Sequence, residues 1–305
     1  NMAQGNFKLR FQRHFAANAG FSGDNSGYNI AMDDDAFFDI RDLIYSNSGI
    51  YYNESKKYLL ESRIGKRLRD LGFDNFFKYL ELIKSDKGKK ELTELYKVIT
   101  INETYFFRSP QQFNAFEKIL VPEIIKKRES GGKKVFRIWS AASSTGEEAY
   151  SLAIIVKESL QERFPDVQFR ILASDISNAV LQSARKGVYK EYSLRNMPEE
   201  LIGKYFRVSA GSFILNDEIK KMVKFTNLNL YDKDEMSRIT DCDVIFCCNV
   251  LIYFDMPSKK QVVENLFNSL NSGGYLFVGY SESLHGVTKD LKLVHLPQAM
   301  AYKKE

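Results

Sequence analysis

The sequence predicts two parts: a small all-helical segment, then an α/β domain on a mostly parallel sheet with an antiparallel edge. Three observations predict it. A length of 305 residues divides, at roughly 150 per domain, into two. Apolar residues recur every three or four positions through the first third of the chain. After Pro110 and Pro122, short apolar runs alternate with helical stretches, the pattern of a parallel sheet covered on both faces.

Residues 1–32 read as a flexible tail. Asn1 ahead of Met2 marks its start as partly foreign to a natural chain, Gly, Ser and Asn crowd positions 19–29, and a short helix over 7–17 fits the pattern. The helical domain is expected over 33–107. Asp33, Asp34 and Asp35 put negative charge where a helix N-terminus favours it. Phe37, Ile40, Leu43 and Ile44 then repeat at helical spacing, as do Leu59, Leu60, Ile64 and Leu68, and Phe76, Phe77, Leu80 and Ile83, with Gly49, Gly72 and Gly88 as punctuation. In 108–305 the expected strands are Val135-Phe-Arg-Ile-Trp-Ser140, Phe169-Arg-Ile-Leu-Ala-Ser174, Asp243-Val-Ile-Phe-Cys-Cys248 and Gly274-Tyr-Leu-Phe-Val-Gly279, each followed by helix or loop, and runs near 291–295 and 299–303 close the edge. A small β insertion is expected at about 205–228, with Gly211 at a turn.

Composition excludes several classes. At 44% hydrophobic and 13% aromatic, the chain has material for a core and is not globally disordered. The longest apolar stretch, near 244–254, is broken by Asn249 and is too short for the roughly 20 residues of a membrane span. Three cysteines and three histidines are too few and too poorly spaced for a zinc site or a secreted disulfide scaffold. No metal is expected, and the compartment reads as reducing and cytoplasmic. A net charge of +5 does not compel nucleic acid as partner.

In such folds a ligand sits at the carboxyl ends of the strands, by the switch in strand order. The loop after the first strand is Ala141-Ala-Ser-Ser-Thr-Gly-Glu-Glu148. It lacks the G-x-G-x-x-G that admits a pyrophosphate, and Glu147 would set an anion against any phosphate. NAD and ATP are disfavoured; a cationic ligand, or one with amine and hydroxyl donors, is favoured. Thr145-x-x-Glu148 has capping-box spacing, so Glu148 has a structural reading and Glu147 is assigned to the ligand. Asp175 ends the second strand, where nucleoside-binding folds put the acid that accepts from ribose hydroxyls, although an N-cap role is the alternative. Two acids flanking a phosphate-free pocket suit S-adenosylmethionine. Gly279-Tyr-Ser281-Glu lacks the second glycine of a nucleophile elbow, and His285 and His295 read as ordinary loop and edge-strand residues, which disfavours a serine hydrolase.

Five segments together resemble the chemotaxis receptor glutamate O-methyltransferases of bacteria, the CheR family: Asn102-Glu-Thr-Tyr-Phe-Phe-Arg108, Trp139-Ser-Ala-Ala-Ser-Ser-Thr-Gly-Glu-Glu-Ala-Tyr-Ser151, Ala173-Ser-Asp175, Asp243-Val-Ile-Phe-Cys-Cys-Asn-Val-Leu-Ile-Tyr-Phe-Asp255 and Gly279-Tyr-Ser-Glu-Ser283. The resemblance spans about 33–303. It implies a class I S-adenosylmethionine-dependent methyltransferase, Rossmann-like, with a helical N-terminal substrate-recognition domain. It implies methyl transfer to receptor glutamates, giving methyl esters and S-adenosylhomocysteine. Carried over by motif, the cofactor positions are Asn102, Thr104, Arg108, Glu147, Asp175, Asn229, Leu230, Cys248 and Asn249. The chain departs from the family at Ala149, usually Pro, and at Cys248, usually Arg, so backbone contact is the safer expectation at Cys248.

Such a reaction needs little machinery. A glutamate with a reference pKa near 4.3 arrives ionised, so no activated nucleophile is required. Arg108 can hold a carboxylate bidentately and Tyr253 can offer a hydroxyl, giving the expected catalytic pair; a solvated arginine and a packing aromatic are the alternatives. Arg63, Lys66 and Arg67 share a helical face with Arg69 nearby, followed by Lys84, Lys87, Lys89 and Lys90, and this basic surface is expected to receive glutamate-rich receptor helices. The compact turn at 209–213 argues against dependence on a receptor-tail tether. The expected protein is a monomer, not membrane-inserted, with no nucleic-acid partner. A non-catalytic S-adenosylmethionine-binding signalling module and a nucleic-acid methyltransferase are the competing readings; Asn249 followed by Val-Leu-Ile rather than Pro-Pro and an aromatic weakens the second.

Overall fold

The computed structural model describes residues 30–305 except 87 and 129–134. The expected helix over 7–17, nearly all of the expected tail, Lys87 and the side chain of Lys89 lie outside the described residues.

Four helices form the N-terminal segment: α1 (Asp34–Ser48), α2 (Lys57–Leu71), α3 (Phe76–Lys84) and α4 (Gly88–Ile99). Asp33 caps α1, accepting from the Ala36 N–H at 2.7 Å, and Asn75 caps α3 through the Lys78 N–H at 3.0 Å. Leu60, Ile64 and Leu68 are the buried stripe of α2. An ion pair crosses the segment: Arg67 on α2 grips Glu91 on α4 through two bonds of 2.8 and 2.7 Å.

The rest of the chain runs α5 (Pro110–Ala115), a π-helical turn, α6 (Val121–Arg128), β1 (Val135–Ser140), α7 (Glu147–Ile155) with a continuation to Arg163, β2 (Gln168–Asp175), α8 (Asn178–Lys186), β3 (Val188–Tyr189), α9 (Glu199–Tyr205), β4 (Phe206–Ser209), β5 (Ser212–Leu215), β6 (Val223–Asn227), β7 (Cys242–Cys247), α10 (Met256–Ser269), β8 (Leu270–Val278), β9 (Leu291–Leu296) and β10 (Ala299–Lys304). Seven strands form one sheet in the order β6-β2-β1-β7-β8-β10-β9. β1 pairs in parallel with both β2 and β7, and β10 lies antiparallel between β8 and β9. All six residues of β7 are buried, as expected for a strand covered on both faces. Side chains alternate between two cores: Ile138, Phe246 and Phe277 on one face, Trp139, Ile245 and Leu276 on the other.

The chain leaves β1 outward through β2 to β6, then returns to place β7 on the other side of β1. That reversal opens a crevice at the carboxyl ends of β1 and β7. The helical segment meets the sheet domain at this end: the Tyr51 N–H donates to the Tyr253 carbonyl at 2.9 Å, and the Asn229 amide donates to the Asn47 carbonyl at 2.6 Å.

The insertion expected at about 205–228 is corrected in part. β4 and β5 form a hairpin whose Ala210 and Gly211, with φ of 46° and 69°, make the tight turn, and β3, outside the expected range, adds to it as a third strand. Val223–Asn227, inside that range, belongs instead to the main sheet, parallel to β2. Its run, Val223-Lys-Phe-Thr-Asn227, carries too little apolar pattern to separate a main-sheet edge from an inserted ribbon.

Candidate functional site

A cavity of about 330 Å³ opens over the carboxyl ends of β1, β2, β6 and β7, within the size range of small-molecule sites. Its floor is loop: Ala141, Ala142 and Ser144 after β1, Asp175 and Ile176 at the end of β2, Leu228, Asn229 and Leu230 after β6, and Cys248, Asn249 and Val250 after β7. Tyr52 and Ile50 overhang it from the helical segment, and the strap 99–105 crosses it with Asn102 and Thr104.

The floor is shaped by main chain. Gly146, at φ 95°, turns the loop into α7, and a Cβ there would stand 2.9 Å from the Ala184 side chain. Asp175 accepts from the Ser144 N–H at 3.0 Å and from the Ser177 N–H at 2.9 Å. Ser177 is the N-cap residue of α8, so Asp175 is not the cap; it braces the turn from two residues upstream while lining the cavity. Burial pushes its carboxyl up to about 6, against the pull of those N–H donors.

The two glutamates are placed differently from the expectation: Glu148, not Glu147, lines the cavity. Glu147 is 2% exposed and turns away from the cavity, accepting from the Thr145 hydroxyl at 2.6 Å and the Ser193 hydroxyl at 3.1 Å. Glu148 lines the cavity and accepts from the Ser140 hydroxyl at 2.7 Å. No capping box forms, because the residue flanking α7 is Gly146, which has no hydroxyl to offer. With the helix beginning at Glu147, about 100° of rotation per residue turns its neighbour toward the sheet ends. Burial pushes Glu148 up to about 7.

Cys248 lies against Gln112, with its thiol 3.5 Å from the amide oxygen, and burial holds that thiol well above its ordinary range. Asn249 adopts φ 63°, a left-handed backbone, as does Ser144 (φ 48°) in the β1 loop, and both line the cavity. Backbone held in this sparsely populated region at two cavity-lining turns is a feature found at working sites.

The mouth has the opposite character. Tyr253, half-buried, has its phenol raised by burial, while the charges of Arg63 and Arg108 oppose the rise. Arg108 donates to the Glu103 carbonyl at 2.8 Å and lines the cavity. The strap is latched to the insertion: the Phe106 N–H donates to the Ser193 carbonyl at 2.9 Å, and Arg195 sits 3.3 and 3.6 Å from the Tyr105 and Tyr192 ring centres.

The basic face of α2 is split. Arg67 is consumed by Glu91, and Arg63 turns inward, donating to the Ile99 carbonyl at 2.6 Å and approaching the Tyr52 hydroxyl at 3.4 Å. Lys66 and Arg69 stand in solvent, as does Lys90, while Lys84 reaches Asp39 at 3.7 Å. Helical spacing shows which residues share a face, but not that a glutamate on a neighbouring helix will claim one of them.

The structure thus brings Asn102, Thr104, Arg108, Asp175, Asn229, Leu230, Cys248, Asn249 and Tyr253 to one cavity and leaves Glu147 out. Two further residues line the cavity: Glu148, to which the capping-box spacing assigns a structural reading, and Tyr52, which reaches it only through tertiary packing.

Residues 102–300 match the family described as CheR methyltransferase, SAM binding domain, and residues 35–100 match the CheR methyltransferase all-alpha domain. Chemotaxis protein methyltransferase 2 of Vibrio cholerae is 34% identical over 276 residues, covering 90% of this chain and 94% of the relative. The chemotaxis protein methyltransferase of Borreliella burgdorferi is 36% identical over 277 residues, covering 90% and 96%. The chain belongs to the CheR methyltransferase family and is an S-adenosylmethionine-dependent methyltransferase.

Proposed function

We propose that this CheR-family enzyme methylates glutamate side chains of chemoreceptors, producing glutamate methyl esters and S-adenosylhomocysteine for sensory adaptation, from the cytoplasmic side. The observation that carries the reading is the opposed charge of the two ends of one cavity: Glu148 and Asp175 in the floor, and Arg108 beside Tyr253 at the mouth, where the charge of Arg63 also reaches the Tyr253 phenol. A cationic donor and an anionic acceptor belong at those ends respectively.

The floor fits S-adenosylmethionine. Its acids, buried Asp175 and partly buried Glu148, suit a ligand with hydroxyl and ammonium donors, and small residues in the β1 loop admit close approach. Asp175 would hold the ribose hydroxyls; Glu148, Asn102, Thr104, Arg108 and the backbone at Asn229, Leu230, Cys248 and Asn249 would hold the remainder. When bound, the cofactor supplies a methyl group on a positively charged sulfur. The chain's own residues then do three things. Arg108 pairs with the incoming carboxylate, which is already ionised. The Tyr253 phenol, neutral across the physiological range because burial raises it, donates to a carboxylate oxygen. The strap and helical overhang exclude water, which would otherwise stabilise the separated charges that the reaction merges. Orientation of the carboxylate is worth up to about 7–11 kcal/mol at its limit.

The partners this implies are glutamate-rich helices of receptors, approached through Lys66 and Arg69. The test is incubation with methyl-labelled S-adenosylmethionine and receptor-bearing membranes. Base-labile label released as methanol is the expected result. Cofactor binding without transfer points to a signalling module, and base-stable label on nucleic acid to a different substrate; either sinks the proposal.

A further inference from the structure

The Gly279-Tyr-Ser-Glu-Ser283 segment after β8 has no part in the roles described so far, yet its Glu282 carries an unusual set of bonds. The carboxylate is 8% exposed and has no ion-pair partner among the described residues. Its charge is met by backbone N–H groups: Gly279 at 2.6 Å, Asn249 at 2.8 Å and Ile252 at 3.2 Å. Two of the three belong to the turn after β7. That turn holds Asn249 at φ 63° and ends in the short helical turn Leu251–Tyr253, so the bond to the Ile252 N–H ties down the turn that carries Tyr253. The close approach also dictates Gly279, where a Cβ would stand 2.8 Å from the Asn249 side-chain nitrogen and 2.8 Å from the Glu282 carboxylate. A buried carboxylate is costly to keep, and its N–H bonds are the stronger, charge-assisted kind. Spending one on a loop backbone fixes that loop in a conformation it would not otherwise favour.

We propose that Glu282 is a positioning residue for methyl transfer: its carboxylate holds the 249–252 backbone and so aims Asn249 and the Tyr253 hydroxyl into the cavity. The assignment rests on Tyr253 acting in the transfer, and the experiment separates the two. Glu282→Gln keeps the shape but points an amide N–H at the donors. It is expected to lower kcat by about 10- to 100-fold, in line with the cost of misplacing a reactive group by an ångström. Its melting temperature should stay within a few degrees of the parent, and hydrogen exchange should speed up over 249–253 alone. Glu282→Asp, charged but one methylene short of the Ile252 N–H, should show the same pattern and serves if the Gln variant does not fold. In the double variant with Tyr253→Phe, the total loss should stay near the roughly 100-fold of Tyr253→Phe alone rather than multiply.

Losses that multiply in the double variant, or unchanged exchange over 249–253, overturn the role of Glu282 while leaving Tyr253 in place. A Tyr253→Phe enzyme with normal turnover removes Tyr253 from the mechanism and this proposal with it.

Discussion

The floor and the mouth of the cavity are built by different means. The floor is made from loops that follow consecutive strands, and backbone amides hold its acids: Ser144 and Ser177 on Asp175. The mouth is made from side chains far apart in sequence, with Tyr52 and Arg63 facing Tyr253 across a domain boundary. The floor holds two acids, Glu148 and Asp175; the mouth holds Arg108 and the phenols of Tyr52 and Tyr253. The contrast teaches that the proposed donor and acceptor sites would be built from different material, backbone-held acids at one end and long-range side-chain packing at the other. It also separates the experiments, because Asp175 in the floor and Tyr253 at the mouth can be broken independently.

The largest effects belong at the mouth. Arg108→Ala and Tyr253→Phe should each keep the fold and lower turnover on the order of 100-fold, the cost of removing one donor from a charge-developing centre. For Tyr253→Phe, calorimetry should show S-adenosylhomocysteine binding nearly unchanged. A large loss of cofactor affinity in that variant would erase the division between the two ends.

Next is the floor. Asp175→Ala should weaken cofactor binding about 10- to 100-fold, the cost of a hydrogen bond to a charged group, while the Michaelis constant for receptor moves little. Binding titrations of the variant decide it.

The floor should also answer to pH. Glu148 and Asp175 are raised to about 7 and about 6, so both are partly protonated in the free protein just below neutrality. Because these carboxyls are raised, their contribution to stability is complete below the ordinary carboxylate range and is lost as pH rises toward 7. Ligand binding needs the ionised forms and so runs the other way. Affinity for S-adenosylhomocysteine should rise about tenfold from pH 6 to pH 8 while the ligand-free melting temperature falls between pH 5 and pH 7. A flat affinity profile would show that these acids do not hold the ligand.

The smallest effect lies outside the cavity. Lys66→Glu with Arg69→Glu should raise the Michaelis constant for receptor severalfold at low salt and less at high salt. Arg67→Glu is a different experiment, since it sets a carboxylate against Glu91 and should lower the melting temperature instead.

Most of this architecture was legible in the sequence because its signals are local. The runs at β1, β2, β7 and β8 and the 3–4 spacing of the helices gave element type and sequence, and the α/β alternation gave a mostly parallel sheet with an antiparallel edge. The β1 loop, Asp175 and the Asn249–Tyr253 turn were visible because they lie at strand ends. Less legible was whatever depended on a helix's rotational phase or on a distant partner. Glu147 and Glu148 differ by one residue, and only the start of α7 at Gly146 decides which faces the cavity. Arg67 looks like its neighbours until Glu91, 24 positions on, is seen to hold it. Val223–Asn227 joined the main sheet because β2 offered it an open edge, which its own residues do not record.

The most direct test uses two peptides that form the same amphipathic helix, one carrying receptor-type glutamates and the other glutamine at each of those positions, offered to the enzyme with methyl-labelled S-adenosylmethionine. The account predicts label on the glutamate peptide, recovered as methanol after mild base, and none on the glutamine peptide, whose neutral amide neither pairs with Arg108 nor attacks. Equal labelling of both peptides, or label that survives base, would contradict it.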